Sequence, residues 1–161
     1  MQLTREGDYA VRLMVDLAGA PGAVAPCRAI GARQEIPRAH LAKIVQILRR
    51  AGLVRTLRGA GGGVALALPP EEVTLRRVIE AVEGPMALNL CLVAPGACSR
   101  DGFCPVHPVW RKIQALLVKE LDAVTLAALA HQGMLQGRAT LMNSSPTRRR
   151  NETDSRAQQI L

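Results

Sequence analysis

RAHLAKIVQILRRAGLVRTLRGAGGGVALAL, residues 38–68, is the stretch that decides the fold. In its first half Leu41, Ile44, Val45 and Leu48 recur at steps of three and four, the spacing of one apolar helix face. Arg38, His40, Lys43, Arg49 and Arg50 fall elsewhere on that helix. Pro37 suits its first position, where a missing N–H costs nothing, and Gly52 suits a cap just beyond Ala51. In the second half Leu53, Arg55 and Leu57 alternate with Val54 and Thr56, and Val64, Leu66 and Leu68 alternate with alanines. A period of two on both sides of Arg58-Gly59-Ala60-Gly61-Gly62-Gly63 predicts a β-hairpin with a glycine-rich tip.

Upstream, residues 3–18 read as a helix capped by Thr4, with Tyr9, Ala10, Leu13, Met14 and Leu17 in one stripe. Cys27 to Arg33 makes a short helix with Ile30 inside, and Gln34-Glu35-Ile36 turns the chain. A short helix, a tight turn and a longer helix with a basic start form a helix-turn-helix pattern, and a hairpin directly after it is a wing. Arg58 at the tip is placed for a minor groove, and Gly59 and Gly61 allow backbone N–H groups near phosphate. The competing reading of the glycines, a nucleotide-binding loop, lacks the Lys-Ser/Thr of a P-loop and a following helix.

Downstream, Pro69-Pro70 breaks the chain, and Thr74 caps a helix with Leu75, Val78, Ile79 and Val82 on one face and Gly84 at its end. CLVAPGACSRDGFCPVH, residues 91–107, then spaces Cys91, Cys98 and Cys104 along a loop of turn-forming Pro and Gly, with His107 just beyond. Three thiolates and an imidazole are ligand types of soft metals and iron–sulfur clusters. The plainer readings are a reduced thiol loop or a Cys98–Cys104 disulfide. From about Pro108 to Ala123 a long helix carries Trp110, Ile113, Leu117, Leu121 and Val124 as a stripe. That stripe suits either a dimer seam or packing within the subunit. Thr125 starts a short helix, TLAALA, and the apolar pattern fades after Gly133. The polar tail, with Arg148-Arg149-Arg150, is expected to be disordered.

The 161 residues allow one domain with an appendage or two small modules. A 48% hydrophobic content with 2% aromatics predicts an aliphatic, mostly α core. The net charge of +8 and a pI near 10.4 point to phosphate-bearing partners. No apolar run approaches the roughly 20 residues of a membrane span, and the N-terminus lacks signal-peptide features. A cytoplasmic protein with reduced thiols, where cysteine clusters more often bind metal, is the expectation.

The MQLTREGDYAVRLM helix, the RGAGGG wing, the TLRRVIEAVEG helix and the Cys-x6-Cys-x5-CPVHPVW loop, in this order, resemble the iron–sulfur winged-helix transcriptional regulators typified by IscR and NsrR. The resemblance runs from residue 1 to about 131. It implies a mostly α protein with a small β-hairpin: a winged helix-turn-helix DNA-binding domain over 1–69, a connecting helix over 70–90 and a cluster-binding loop over 91–107. A dimerisation helix and short terminal helix over 108–131 complete it; beyond the resemblance, residues 132–161 read from their composition as a disordered basic tail. It implies a bacterial homodimer on a palindromic operator in double-stranded DNA, not an enzyme and not a membrane protein. A 2Fe–2S or 4Fe–4S cluster would set its affinity. Cys91, Cys98 and Cys104 carry over as cluster thiolates. The fourth ligand carries over as His107, or as Asp8 of the partner subunit. Arg38, His40 and Lys43 carry over as recognition-helix contacts, and Arg58 as the wing contact. One extra residue separates the first two cysteines relative to the usual pattern. Cys27 matches no ligand and is expected to be a buried structural thiol. The rivals are a zinc-stabilised repressor with a Cys₃His site, a metal-free thiol-redox repressor, and an enzyme using Cys104 and His107, for which no substrate pocket is evident.

Overall fold

Among the described residues, six α-helices and one two-stranded antiparallel hairpin follow in the order α1 (Arg5–Ala18), α2 (Cys27–Gln34), α3 (Arg38–Arg50), β1 (Val54–Leu57), β2 (Gly63–Leu66), α4 (Leu75–Glu83), α5 (His107–Ala123) and α6 (Leu126–Asn143). The computed structural model describes residues 3–143. Local chemistry sets most boundaries. Thr4 and Thr74 accept hydrogen bonds from the backbone N–H of Gly7 and Arg77, capping α1 and α4. Pro37 stands at the cap of α3, one residue before the helical position expected of it. At the other end of α3, Leu53 N–H donates to Leu48 C=O and Gly52 N–H to Arg49 C=O, with Gly52 at φ 71°. That is a Schellman motif, and its left-handed residue explains the glycine.

The core joins α1, α2, α3, the hairpin and α4. Leu13, Met14, Ile30, Ile44, Leu48, Leu53, Val64, Val73 and Val78 are fully buried within it. Burying each such side chain contributes about 1.5–3 kcal/mol. The hairpin register pairs Val54 with Leu66 and Leu57 with Gly63. Ala25 pairs with Val64 beside β2, bonding in both directions at 2.8 and 2.9 Å. A Cβ on Gly63 would collide with the Ala25 carbonyl, so this glycine serves close backbone approach. Ala65 is buried along with Val64 and Leu66, so β2 does not keep the expected alternation.

The C-terminal part departs from the expected organisation. α6 continues past Gly133 to Asn143, so residues 132–143 are helical rather than disordered. The Leu, Met, Gln and Ala that follow Gly133 are good helix formers and outweigh the cost of the glycines. The rest of the expected tail, with Arg148-Arg149-Arg150, lies outside the described residues. Leu126 and Ala130 of α6 are buried in the winged-helix core. A small bridge fixes this return: Leu75 N–H donates to Val124 C=O and Leu126 N–H to Val73 C=O, beside an Arg76–Asp122 ion pair of 2.9 Å.

Candidate functional site

The outward face of α3 exposes Arg38, Lys43, Arg49 and Arg50, with Gln46 between them. The wing exposes Arg55 and Arg58 beside it. Ion pairs decide which of these charges are free. Lys43 Nζ donates to both carboxylate oxygens of Glu6, at 2.7 and 2.8 Å, and His40 Nδ1 lies 3.8 Å from the same carboxylate. His40 also meets Tyr9 edge-on, 5.7 Å between ring centroids. Two of the three expected recognition-helix contacts are thus tied to α1. Behind this face Asp16 holds α2 against α1, accepting from Arg33 Nε at 3.0 Å, Arg33 Nη2 at 2.7 Å and Gln34 Nε2 at 2.9 Å. Burial alone would raise the Asp16 carboxyl; the Arg33 and Gln34 hydrogen bonds and the Arg33 charge hold it below its ordinary value.

The wing glycines divide by role. Gly59 has φ 101°, which requires glycine, and a Cβ on Gly62 would strike the Leu57 carbonyl. Gly61 has open space around it, so the hairpin does not itself demand the glycine there. Cys27 is exposed rather than buried, because as the first residue of α2 it points outward while Ile30 takes the inward position.

The cysteine loop begins within the short 3₁₀ turn Leu90–Leu92, which holds Cys91, and continues as a series of tight turns. Asp101 N–H donates to Cys98 C=O and His107 N–H to Cys104 C=O, each at 3.1 Å. Both ends of the loop are fixed to α5. Gln114 accepts from Leu88 N–H at 3.0 Å and donates to Met86 C=O at 2.7 Å, while His107 is itself the first residue of α5. Gln114 and Asp101 were not singled out from the sequence; the one available signal was a polar residue interrupting the inner side of the α5 stripe. Asp101 reaches back into the loop, accepting from Gly96 N–H at 3.3 Å and meeting His107 Nδ1 in a close contact rather than a directed hydrogen bond.

Cys91, Cys98 and Cys104 are half-buried and unbridged, so no Cys98–Cys104 disulfide is present. Cys91, Asp101 and His107 line one pocket of about 650 Å³ with Arg111. Desolvation raises the Cys91 thiol above its ordinary value, and the charges of Cys98, Asp101 and Cys104 add to that. Burial and its neighbours thus favour the neutral thiol at Cys91, which would have to lose its proton to serve as a metal ligand. Among the described residues no three His, Cys, Asp or Glu side chains stand together at metal-binding separation. The donor set fits an iron–sulfur group by chemistry; in this structure the loop is not closed around one point. Asp8 is engaged by Arg12 of its own helix at 2.8 Å.

α5 has no buried residue among its seventeen. The expected seam is split: Trp110, Leu117, Leu121 and Val124 are half-buried against the subunit, and α5 packs on α4. Ile113 alone of that set is exposed, in line with Val106, Val109 and Leu116. The sequence pattern merged two neighbouring stripes, since positions three and four apart both count as one face.

Residues 3–132 match the family described as Rrf2, iron-dependent transcriptional regulator. The HTH-type transcriptional regulator IscR of Aliivibrio salmonicida is 36% identical over 130 residues, covering 80% of this chain and 77% of that protein. IscR of Escherichia coli is 33% identical over 132 residues, covering 81% of each. Among solved structures, CymR, the global cysteine regulator of B. subtilis, superposes with a TM-score of 0.68 at 28% identity, covering 82% of this chain and 98% of that one. IscR of T. potens does so with a TM-score of 0.66 at 27% identity, covering 91% and 94%.

Proposed function

The chain belongs to the Rrf2 family of transcriptional regulators, and from that premise we propose that it is a cytoplasmic homodimer whose operator affinity is controlled by an iron–sulfur cluster held on the cysteine loop. The observation that carries this reading is the anchoring of the loop: Cys91, Cys98 and Cys104 lie between two attachments, Gln114 and His107, to the same helix. Cys91, Cys98 and Cys104 would be the thiolate ligands. His107 is the fourth ligand we favour, because it shares the loop; Asp8 of the partner subunit is the alternative. Bound there, a 2Fe–2S or 4Fe–4S cluster supplies iron–thiolate bonds open to nitric oxide, oxygen and iron scarcity.

The chain's own residues carry the consequence. Ordering the loop fixes the start of α5, α5 packs on α4, and α4 packs on α1, which supports α3. The exposed line Val106, Val109, Ile113 and Leu116 is the face proposed to meet a second copy. Two such copies would present their α3 helices and Arg58 wings to a palindrome with half-sites about one helical turn, or a multiple, apart. A coupling of about 1–3 kcal/mol between loop and α3 spacing would change affinity roughly 5–150-fold.

Purification without oxygen, followed by a visible spectrum and iron and sulfide analysis, tests the reading. A coloured protein that loses its absorbance on Cys91→Ala, Cys98→Ala or Cys104→Ala, but keeps it on Cys27→Ala, is the expected result. His107→Ala and Asp8→Ala then separate the two ligand sets by which one alters the spectrum. A colourless protein with stoichiometric zinc would overturn the cluster in favour of a zinc-stabilised repressor. One with no metal, responding to thiol oxidants, would do so in favour of a thiol-redox repressor.

A further inference from the structure

Glu6 is the carboxylate on α1 that meets the recognition helix. Both its oxygens accept from Lys43 Nζ, at 2.7 and 2.8 Å, and one of them lies 3.8 Å from His40 Nδ1. Lys43 is nevertheless 60% exposed, on the side of α3 that carries Arg38 and Gln46. A lysine so placed would ordinarily be a sequence-independent phosphate contact. Here its charge is already matched, and any phosphate approaching it meets a carboxylate as well.

We infer that Glu6 is a built-in competitor for Lys43, which lowers the sequence-independent affinity of the recognition helix and so raises its discrimination between DNA sites. The inference rests on the DNA-binding reading of α3 and the wing, and adds to it a specificity-determining residue outside both. Sequence-independent affinity is dominated by phosphate neutralisation, and specificity is the ratio of operator to bulk affinity. A pair formed within the protein subtracts from the bulk term at every site. Discrimination rises because the operator complex rests on the contacts proposed for Arg38 and the Arg58 wing rather than on Lys43, so the pair costs it less than it costs bulk binding. The pair is partly solvated, so the lysine is withheld rather than locked away.

The test is a salt titration of the full chain on a short random-sequence duplex, which needs no knowledge of the operator. Glu6→Gln should bind about fivefold tighter at low salt, with the slope of log affinity against log salt steeper by about 1, as one added phosphate contact requires. Removing Lys43 should cost more affinity in the Glu6→Gln background than in the wild type, so the double-mutant cycle is non-additive. Glu72→Gln, the same charge change on an exposed residue away from α3, should give a much smaller gain. A thermal melt of each variant confirms that it is folded. Equal or weaker binding by folded Glu6→Gln, an additive cycle, or an equal gain from Glu72→Gln would overturn the inference while leaving DNA binding in place. Wild-type protein that does not bind the duplex at all would overturn the DNA-binding reading with it.

Discussion

The winged-helix module and the α5–cysteine-loop segment are built on opposite terms. In the module every helix contributes side chains to one aliphatic core. Two of the module's helices carry side-chain caps, and the wing is held by backbone pairing with Ala25. Its order comes from its own burial. α5 buries no residue, and the loop before it exposes Leu90, Val93 and Phe103 and leaves three thiols without partners among the described residues. An exposed apolar line on one side and a set of unbridged thiol donors on the other are features that the proposed second subunit and bound metal centre would satisfy. If the proposed cluster binds there, the part that reads DNA and the part that responds are built on separate sources of order.

Stability measurements can break or sharpen that contrast. The largest effect belongs to the module core: Leu48→Ala should cost about 2–5 kcal/mol in urea unfolding, through lost burial and the cavity left behind. Gly63→Ala should come next, at about 1–3 kcal/mol, because the new methyl must push the Ala25 carbonyl away. Retention of full stability would show that the strand beside the wing yields freely.

Asp16 gives a smaller, pH-dependent effect. Its carboxyl sits below its ordinary value of 3.8 in the folded chain, so its contribution is fully present above that value and is lost as pH falls from there through the lower folded-state value. Asp16→Asn should therefore cost roughly 1 kcal/mol near neutral pH, with the gap to wild type closing as pH falls below the ordinary carboxylate value. A gap that stays constant on acidification would remove the Arg33–Asp16 pair from the account.

The smallest effect on subunit stability should come from Leu116→Asp, within about 0.5 kcal/mol for an exposed site. The same substitution should abolish the proposed dimer in sedimentation analysis, since a carboxylate buried unpaired in an apolar seam is strongly unfavourable. Leu117→Asp, on the half-buried inner side, should destabilise the subunit itself. If Leu116→Asp leaves a dimer intact, the exposed line on α5 is not the contact.

The sequence alone determined the elements whose cause is local. Thr4 and Thr74 as caps, Gly52 as the end of α3, the hairpin around the glycines and the turn-rich course of the cysteine loop all follow from interactions spanning a few residues. Only the tertiary structure decided what depends on neighbours far apart in the chain. It joined Lys43 to Glu6, 37 residues away, and withdrew a charge that the helix pattern had left free. It carried Leu126 back into the winged-helix core and split the α5 stripe into an inner and an outer line. It left Cys27 exposed where a buried structural thiol is the expectation from the sequence. The physical reason is the same in each case: capping and turn chemistry are read within one turn of backbone, whereas burial and ion pairing depend on which face a second element happens to cover.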